Sequence, residues 1–481
     1  MPELTQRRKM LILAICCMSL LIVGMDSTIV NVALPSIRVD LHASVSGLQW
    51  TIDAYTLVLA SLLIISGSTG DRLGRRRTFQ TGLTLFTVGS LLCSVAPGLG
   101  WLVVFRMVQA VGGSMLNPVA MSIITNVFTD PRERARAIGV WGGVVGISLG
   151  VGPVLGGALI GLLDWRAIFW VNVPIGVAAI VLAALFVPES KAPRPRRLDP
   201  VGQLLVIALL ACTTYAIIEA PRAGVSVEIV TVAAIAVMAL IALLVYEPRR
   251  AEPLIELRFF HSVPFSGASL IAICAFGSYA GFLFLNTLYM QDVRGYSALQ
   301  AGLCMLPIAA GSMIFAPMSG RLVANRGPRL SLLIAGVLLV VGGVLITQVT
   351  ATTSLAAVLG YYAIFGSGFG WINAPITNTA LSGMPRERAG VAAGIASTSR
   401  QAGSTLGVAI VGAVVASAGA NVTGLRLDRA SHPGWWIIVG GCATVLVLGV
   451  VTTTPWARRT AARLAVDETE RPAAVASPAT A

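Results

Sequence analysis

Apolar runs of close to twenty residues recur along the whole chain, and nothing constrains its fold more. The first holds MLILAICCMSLLIVGM, uncharged from Met10 to Met25. Runs of this kind cross a hydrocarbon layer of about 30 Å as helices, at about 1.5 Å per residue. Inside lipid every backbone polar group must be bonded within the protein, which leaves helices or closed barrels. The period-two alternation of barrel strands is missing. The chain is 56% hydrophobic and 11% charged, against about 25% charged in soluble domains. An all-α membrane protein is expected.

Fourteen spans are expected, at 10–34, 48–68, 79–97, 101–123, 136–162, 167–187, 201–219, 227–246, 264–290, 298–320, 330–349, 354–380, 389–417 and 434–454. The first lacks a small-residue cleavage site and reads as a span, not a signal peptide. With the N-terminus inside, cytoplasmic segments hold 26 of the 34 Lys and Arg. That asymmetry predicts a multi-pass protein of the inner (plasma) membrane with both termini cytoplasmic. The net charge of +13 has the same origin, so nucleic-acid binding is a poor explanation of it. The seven cysteines lie in apolar spans without a CxxC pair, and the three histidines lack metal-ligand spacing. No cofactor or metal is expected.

Two linkers divide the chain. PESKAPRPRRLDP (188–200) is basic and proline-rich. EPRRAEPLIELRFFHSVPF (247–265) holds LIELRFF, whose alternation suits the lipid surface. The expected domains are a six-helix bundle at 1–187, a linker and accessory spans 7 and 8 at 188–247, an interfacial linker at 248–263, a second six-helix bundle at 264–455, and a disordered tail at 456–481. A weak repeat relates the bundles: GSTGDRLGRRR (67–77) follows span 2 and GRLVANRGPR (320–329) follows span 10. Each starts on glycine, has another seven residues on, then basic residues, with Ala324 opposite Asp71.

Charges inside the spans stand out, because insertion of one costs at least about 2.5–3.5 kcal/mol. They are Asp26, Asp53, Arg106 and Arg400; Glu219 lies near the outer end of span 7. On span 5, GVWGGVVGISLGVGPVLGG (139–157) sets Gly139, Gly143, Gly146, Gly150, Pro153 and Gly157 on one helical stripe where backbones can touch. In the loop after span 2, glycines permit a tight turn, and Asp71 can accept from an arginine or a helix N-terminus.

Together these motifs resemble the major facilitator superfamily, and within it the fourteen-span drug/proton antiporters, which include self-resistance exporters of antibiotic producers. Gly67, Asp71, Arg72, Gly74, Arg75 and Arg76 are similar to its cytoplasmic gating loop. The stretch containing Gly146, Gly150, Gly152, Pro153, Gly156 and Gly157 resembles its antiporter signature, and LVVFRMVQAVGGS (102–114) its span 4 signature. DWRAIFWVNVPIG (164–176) and STSRQAGSTLGVA (397–409) also look typical. In these, Trp165, Phe169 and Trp170 read as interface anchors, and Gly403 and Gly407 as close-packing positions.

The resemblance implies the major facilitator fold, with 14 transmembrane helices in two six-helix bundles plus two accessory helices. It implies a monomeric transporter working by alternating access, exporting small lipophilic compounds against inward-moving protons, with membrane lipids as surroundings. Asp26, Asp53 and Arg106 fall at one depth on cavity-lining spans. Asp26 is the first expectation for the coupling proton, with Arg106 its neighbour and Asp53 next in line. Two acids facing two arginines leave the preferred ligand charge open. No GxxxxGK[ST] loop occurs, which argues against ATP as a partner. A metabolite transporter of the same fold is a rival reading. A sensor or scaffold would want a soluble signalling domain, and an enzyme a motif such as HExxH or GxSxG.

Overall fold

The computed structural model describes residues 5–192, 198–250, 252–350, 352–382, 384, 389–419 and 424–463, and among these it is helical with no strand. The first group of helices is α1 (Gln6–Asp40), α2 (Val45–Leu73), α3 (Arg75–Ser94), α4 (Leu99–Val127), α5 (Pro131–Leu162) and α6 (Ala167–Phe186, broken at Val171). Next come α7 (Pro200–Ala223) and α8 (Val227–Tyr246). The second group is α9 (Val263–Leu288), α10 (Ala298–Arg326, broken at Met305), α11 (Pro328–Thr347), α12 (Leu355–Ala380), α13 (Ala389–Ala416) and α14 (Gly424–Val451).

Twelve of the described helices are long and apolar enough to cross a membrane. The other two, α3 and α13, coincide with expected spans but are more polar. Arg75, Arg76 and Arg77 open α3, and α13 carries the run Ser397 to Gln401. Helix starts are closed by side chains, as at Ser44, Asp130, Asp199, Ser226 and Ser354, each accepting from a first-turn N–H. Ser297 and Gln300 form a reciprocal capping box on α10.

The two groups repeat one packing scheme. Pairs α1–α5, α2–α4, α3–α4 and α3–α6 in the first recur as α9–α13, α10–α12, α11–α12 and α11–α14 in the second. The sequence repeat has a structural counterpart too. Gly74 and Gly327 end α2 and α10 with φ of +120° and +77°, a region that glycine enters without a Cβ penalty. The groups meet along α2–α13 and α5–α10.

The segments outside the two groups pack in defined ways. Helix α7 packs on both α2 and α13 and so straddles the two groups, with α8 against it. The LIELRFF segment is anchored to the protein through one ring. Phe259 is 0% exposed and packs with Phe265, Ala380 and Ile395. Of the expected disordered tail, 456–463 are helical, while 464–481 lie outside the described residues, as do 193–197 of the first linker.

Candidate functional site

Asp26 on α1 and Arg106 on α4 form an ion pair with 0% and 1% of their side chains exposed. Arg106 Nη1 donates to Asp26 Oδ2 at 2.5 Å and to Gln109 Oε1 at 2.7 Å. Its Nε donates to the Thr51 carbonyl at 3.2 Å. The guanidinium lies 4.1 Å from the Tyr55 ring centroid and 5.8 Å from that of Phe169. The second oxygen of Asp26 accepts from Gln109 Nε2 at 2.8 Å and Asn172 Nδ2 at 3.1 Å. Both amides also reach Ser90 Oγ, at 2.7 and 3.3 Å. One pair thus stitches α1, α2, α3, α4 and α6 together. Desolvating two charges is costly, and only full partnering of this kind offsets it.

Asp53 on α2 is the opposite case. It is 0% exposed, and neither carboxyl oxygen has a hydrogen-bond partner among the described residues. The hydroxyl of the neighbouring Thr56 points at the backbone carbonyls of Ile52 and Asp53. Thr405 of α13 donates to Thr56 at 2.9 Å, so Asp53 sits one turn from the seam between the groups. An ionised carboxylate without a partner at such a place costs several kcal/mol. A carboxyl bearing a proton does not. Of the three groups expected at one depth, Asp26 and Arg106 are paired, and Asp53 is bonded to neither.

Glu219 accepts from Trp50 Nε1 at 2.8 Å, which ties α7 to α2. Arg400 donates from Nη2 to Thr377 Oγ1 at 2.6 Å and from Nη1 to Ser397 Oγ at 3.4 Å.

The glycines of α5 divide by direction. Gly152 and Gly156 press on α1, where an added methyl would overlap Thr28 and come within 2.6 Å of Ile29. Gly146, Gly150 and Gly157 face α10, where an added methyl would come within 3.4 Å of Met313, 3.0 Å of Ala309 and 2.5 Å of the Ala298 carbonyl. The Pro153 carbonyl abuts Gly302. Gly139 and Gly143 have nothing within 4 Å, so the contacting stripe begins at Gly146.

A scan against family models matches residues 16–408 to the Major Facilitator Superfamily. The chain belongs to this superfamily of membrane transporters. Among relatives, the chain is 35% identical over 412 residues to the multidrug resistance protein Stp of Mycobacterium tuberculosis, covering 85% of this chain and 76% of the relative. It is 34% identical to the tetracenomycin C resistance and export protein of Streptomyces glaucescens, over 82% of this chain and 74% of that one. The puromycin resistance protein of Streptomyces alboniger is 33% identical over 93% and 91%. A crystal structure of a bacterial homologue of the human lysosomal transporter Spinster shares the fold, with a TM-score of 0.64 at 18% identity, over 96% of this chain and 99% of that one.

The superfamily loop has its own geometry here. Arg75 Nη2 bonds Asp71 Oδ1 at 3.0 Å within the loop. The helix N-terminus beside it goes to Glu189, which accepts from the Arg76 and Arg77 N–H groups at 3.1 and 3.3 Å. Glu189 also leaves no room for a Cβ at Gly74. Gly67 approaches Pro118 of α4, and Arg72 is exposed.

Sequence reasoning passed over Gln109, Asn172, Ser90, Thr51, Tyr55 and Glu189. Gln109 was findable, because it lies one turn from Arg106 on the same helical face. Asn172 was visible as an amide in an apolar run, yet its partner depends on helix packing. Phe169 and Trp165 are buried at 0% and 3%, beside Arg106 and Asp40 respectively, so of the three expected anchors Trp170 alone is exposed.

Proposed function

We propose that this protein exports lipophilic drugs or small natural products across the plasma membrane, driven by protons moving inward. The identity to relatives named for multidrug resistance, tetracenomycin C export and puromycin resistance carries the reading. In this reading the chain is a monomer that crosses the membrane fourteen times, with both termini cytoplasmic. Twelve apolar helices plus α3 and α13 supply the crossings, and α7 and α8 are accessory.

Alternating access is supported by the unequal ends of the molecule. At the end holding the α1–α2 loop the groups are bonded together. Gln49 Nε2 donates to the Ala409 carbonyl at 2.8 Å, Gln291 to the Val32 carbonyl at 2.9 Å, and Arg38 pairs with Asp292 at 2.8 Å. Toward the end holding the N-terminus, a methyl added at Gly139, Gly142 or Gly143 of α5 would meet nothing within 4 Å. With cytoplasmic termini this is an inward-open state.

The geometry favours Asp53 over Asp26 as the proton carrier. Asp26 is saturated by three donors, whereas Asp53 is buried and bare. A 100 mV potential supplies about 2.3 kcal/mol for each proton moved. Drug-stimulated proton movement in reconstituted vesicles tests both parts. Wild type should couple, Asp53→Asn should bind drug without coupling, and coupled transport by Asp53→Asn would refute the assignment. Unchanged drug susceptibility of an efflux-deficient host expressing the protein, across cationic, neutral and anionic compounds, would refute export itself.

A further inference from the structure

The buried pair of the first group cancels its own charge, which leaves Arg400 of the second group as a cation without a counter-charge among the described residues. It is in none of the ion pairs found there. Arg106 has a carboxylate, an amide, a carbonyl and a tyrosine face. Arg400 has two hydroxyls, and its buried Nε has no hydrogen-bond partner among the described residues. It lies part-way along α13, within an expected span. A guanidinium at this depth without an anion is expensive. A counter-ion that arrives and leaves with the transport cycle resolves the conflict.

The surroundings say what kind of anion fits. The Arg400 guanidinium stands 5.9 Å from the Phe276 ring centroid. Phe276 packs edge-on to Phe369 at 5.2 Å, and Tyr279 stacks on Phe369 at 4.2 Å. Phe276 of α9 thus flanks the cation, backed by Phe369 of α12. The residue is only partly buried, so one side faces space that protein does not fill. A planar guanidinium pairs with carboxylates through two parallel N–H bonds and stacks on ring faces.

We propose that Arg400, flanked by Phe276, binds the anionic group of an aromatic substrate bearing a carboxylate, sulfonate or phenolate. This rests on the export reading and adds the substrate's charge to it. Thr377 and Ser397 orient the guanidinium, and the remaining hydrogens of Nη1 and Nη2 are the free donors.

Two dyes on one xanthene skeleton test it: anionic fluorescein and cationic rhodamine 6G. Binding to the purified full chain in nanodiscs is followed by fluorescence anisotropy, independently of transport. Arg400→Gln should weaken fluorescein about tenfold or more, the loss expected for one charge-assisted contact, and leave rhodamine 6G unchanged. Arg400→Lys, which keeps the charge but not the fork, should fall between. Should the Gln variant not remain monodisperse, the Lys variant decides, together with displacement of fluorescein from wild type by 1-naphthoate but not by neutral 1-naphthalenemethanol. Fluorescein binding that is absent in wild type, or equal in all three proteins, overturns the proposal. So does equal loss of both dyes. Dye accumulation in cells is read separately: intact anion binding without export defeats the export reading and leaves the site standing.

Discussion

At the scale of single residues, two buried aspartates on adjacent helices have opposite circumstances, and this separates their variants. Asp26→Asn leaves Arg106 charged and buried without its counter-ion. Removing one partner of such a pair costs about 3–5 kcal/mol, so the melting temperature of the purified protein should fall sharply. Asp53→Asn removes no hydrogen bond that the described structure contains. An asparagine there resembles the neutral acid, so the melting temperature should hold while proton coupling is lost. An equal loss of stability in both variants would mean that Asp53 is ionised and partnered in the membrane. The sequence exposed both acids through their cost in an apolar run. It could not tell which was paired, because pairing depends on the rotation of α1 against α4 and α6. Gln109 shows the boundary well: its face is fixed by spacing from Arg106, while its bond to Asp26 is fixed by packing between helices.

At the scale of helices, the small residues of α5 serve two different contacts. Gly152 and Gly156 pack against α1 inside the first group, whereas Gly150 and Gly157 pack against α10 across the seam. Forcing a large side chain into a packed contact typically costs about 1–3 kcal/mol. Gly152→Leu and Gly156→Leu should therefore lower thermal stability and expression. Gly150→Leu and Gly157→Leu should spare each group's fold and abolish efflux, since they wedge the groups apart. Gly143→Leu should leave the melting temperature unchanged. Melting curves and dye efflux measured side by side separate the classes, and one pattern across all five would remove the distinction. The period of the glycines was legible in the sequence, as were span positions, the repeat and the basic linkers. Which glycines carry contact was not, because the stripe runs on past the point where α5 and α10 diverge. Helices α3 and α13 sit at the limit of legibility, since both are more polar than the twelve apolar helices.

At the scale of the molecule, the two groups are held closed at one end by few polar bonds, and one of these is an ion pair that joins them. Arg38 at the far end of α1 meets Asp292 just beyond α9 at 2.8 Å, with 16% and 13% of the side chains exposed. Nothing in the sequence linked them, for they lie at the ends of different helices and belong to different repeats. Opening this end requires the pair to separate, so its strength sets part of the balance between the two states. Exposed pairs are worth about 0–1 kcal/mol, and each 1.4 kcal/mol is about tenfold in a conformational equilibrium. Arg38→Gln and Asp292→Asn should each shift the molecule toward opening at this end. An Ala298→Cys reporter beneath the seal, 9% exposed in the closed form, should then react faster with a membrane-impermeant maleimide added from outside, over the background of the seven native cysteines. The exchanged pair, Arg38→Asp with Asp292→Arg, should restore slow labelling if attraction between the groups is the cause. Fast labelling in the exchanged protein would assign the effect to lost packing instead. An unchanged rate in both single variants would show that Gln49, Gln291 and the Gly157 contact hold the end shut without the ion pair.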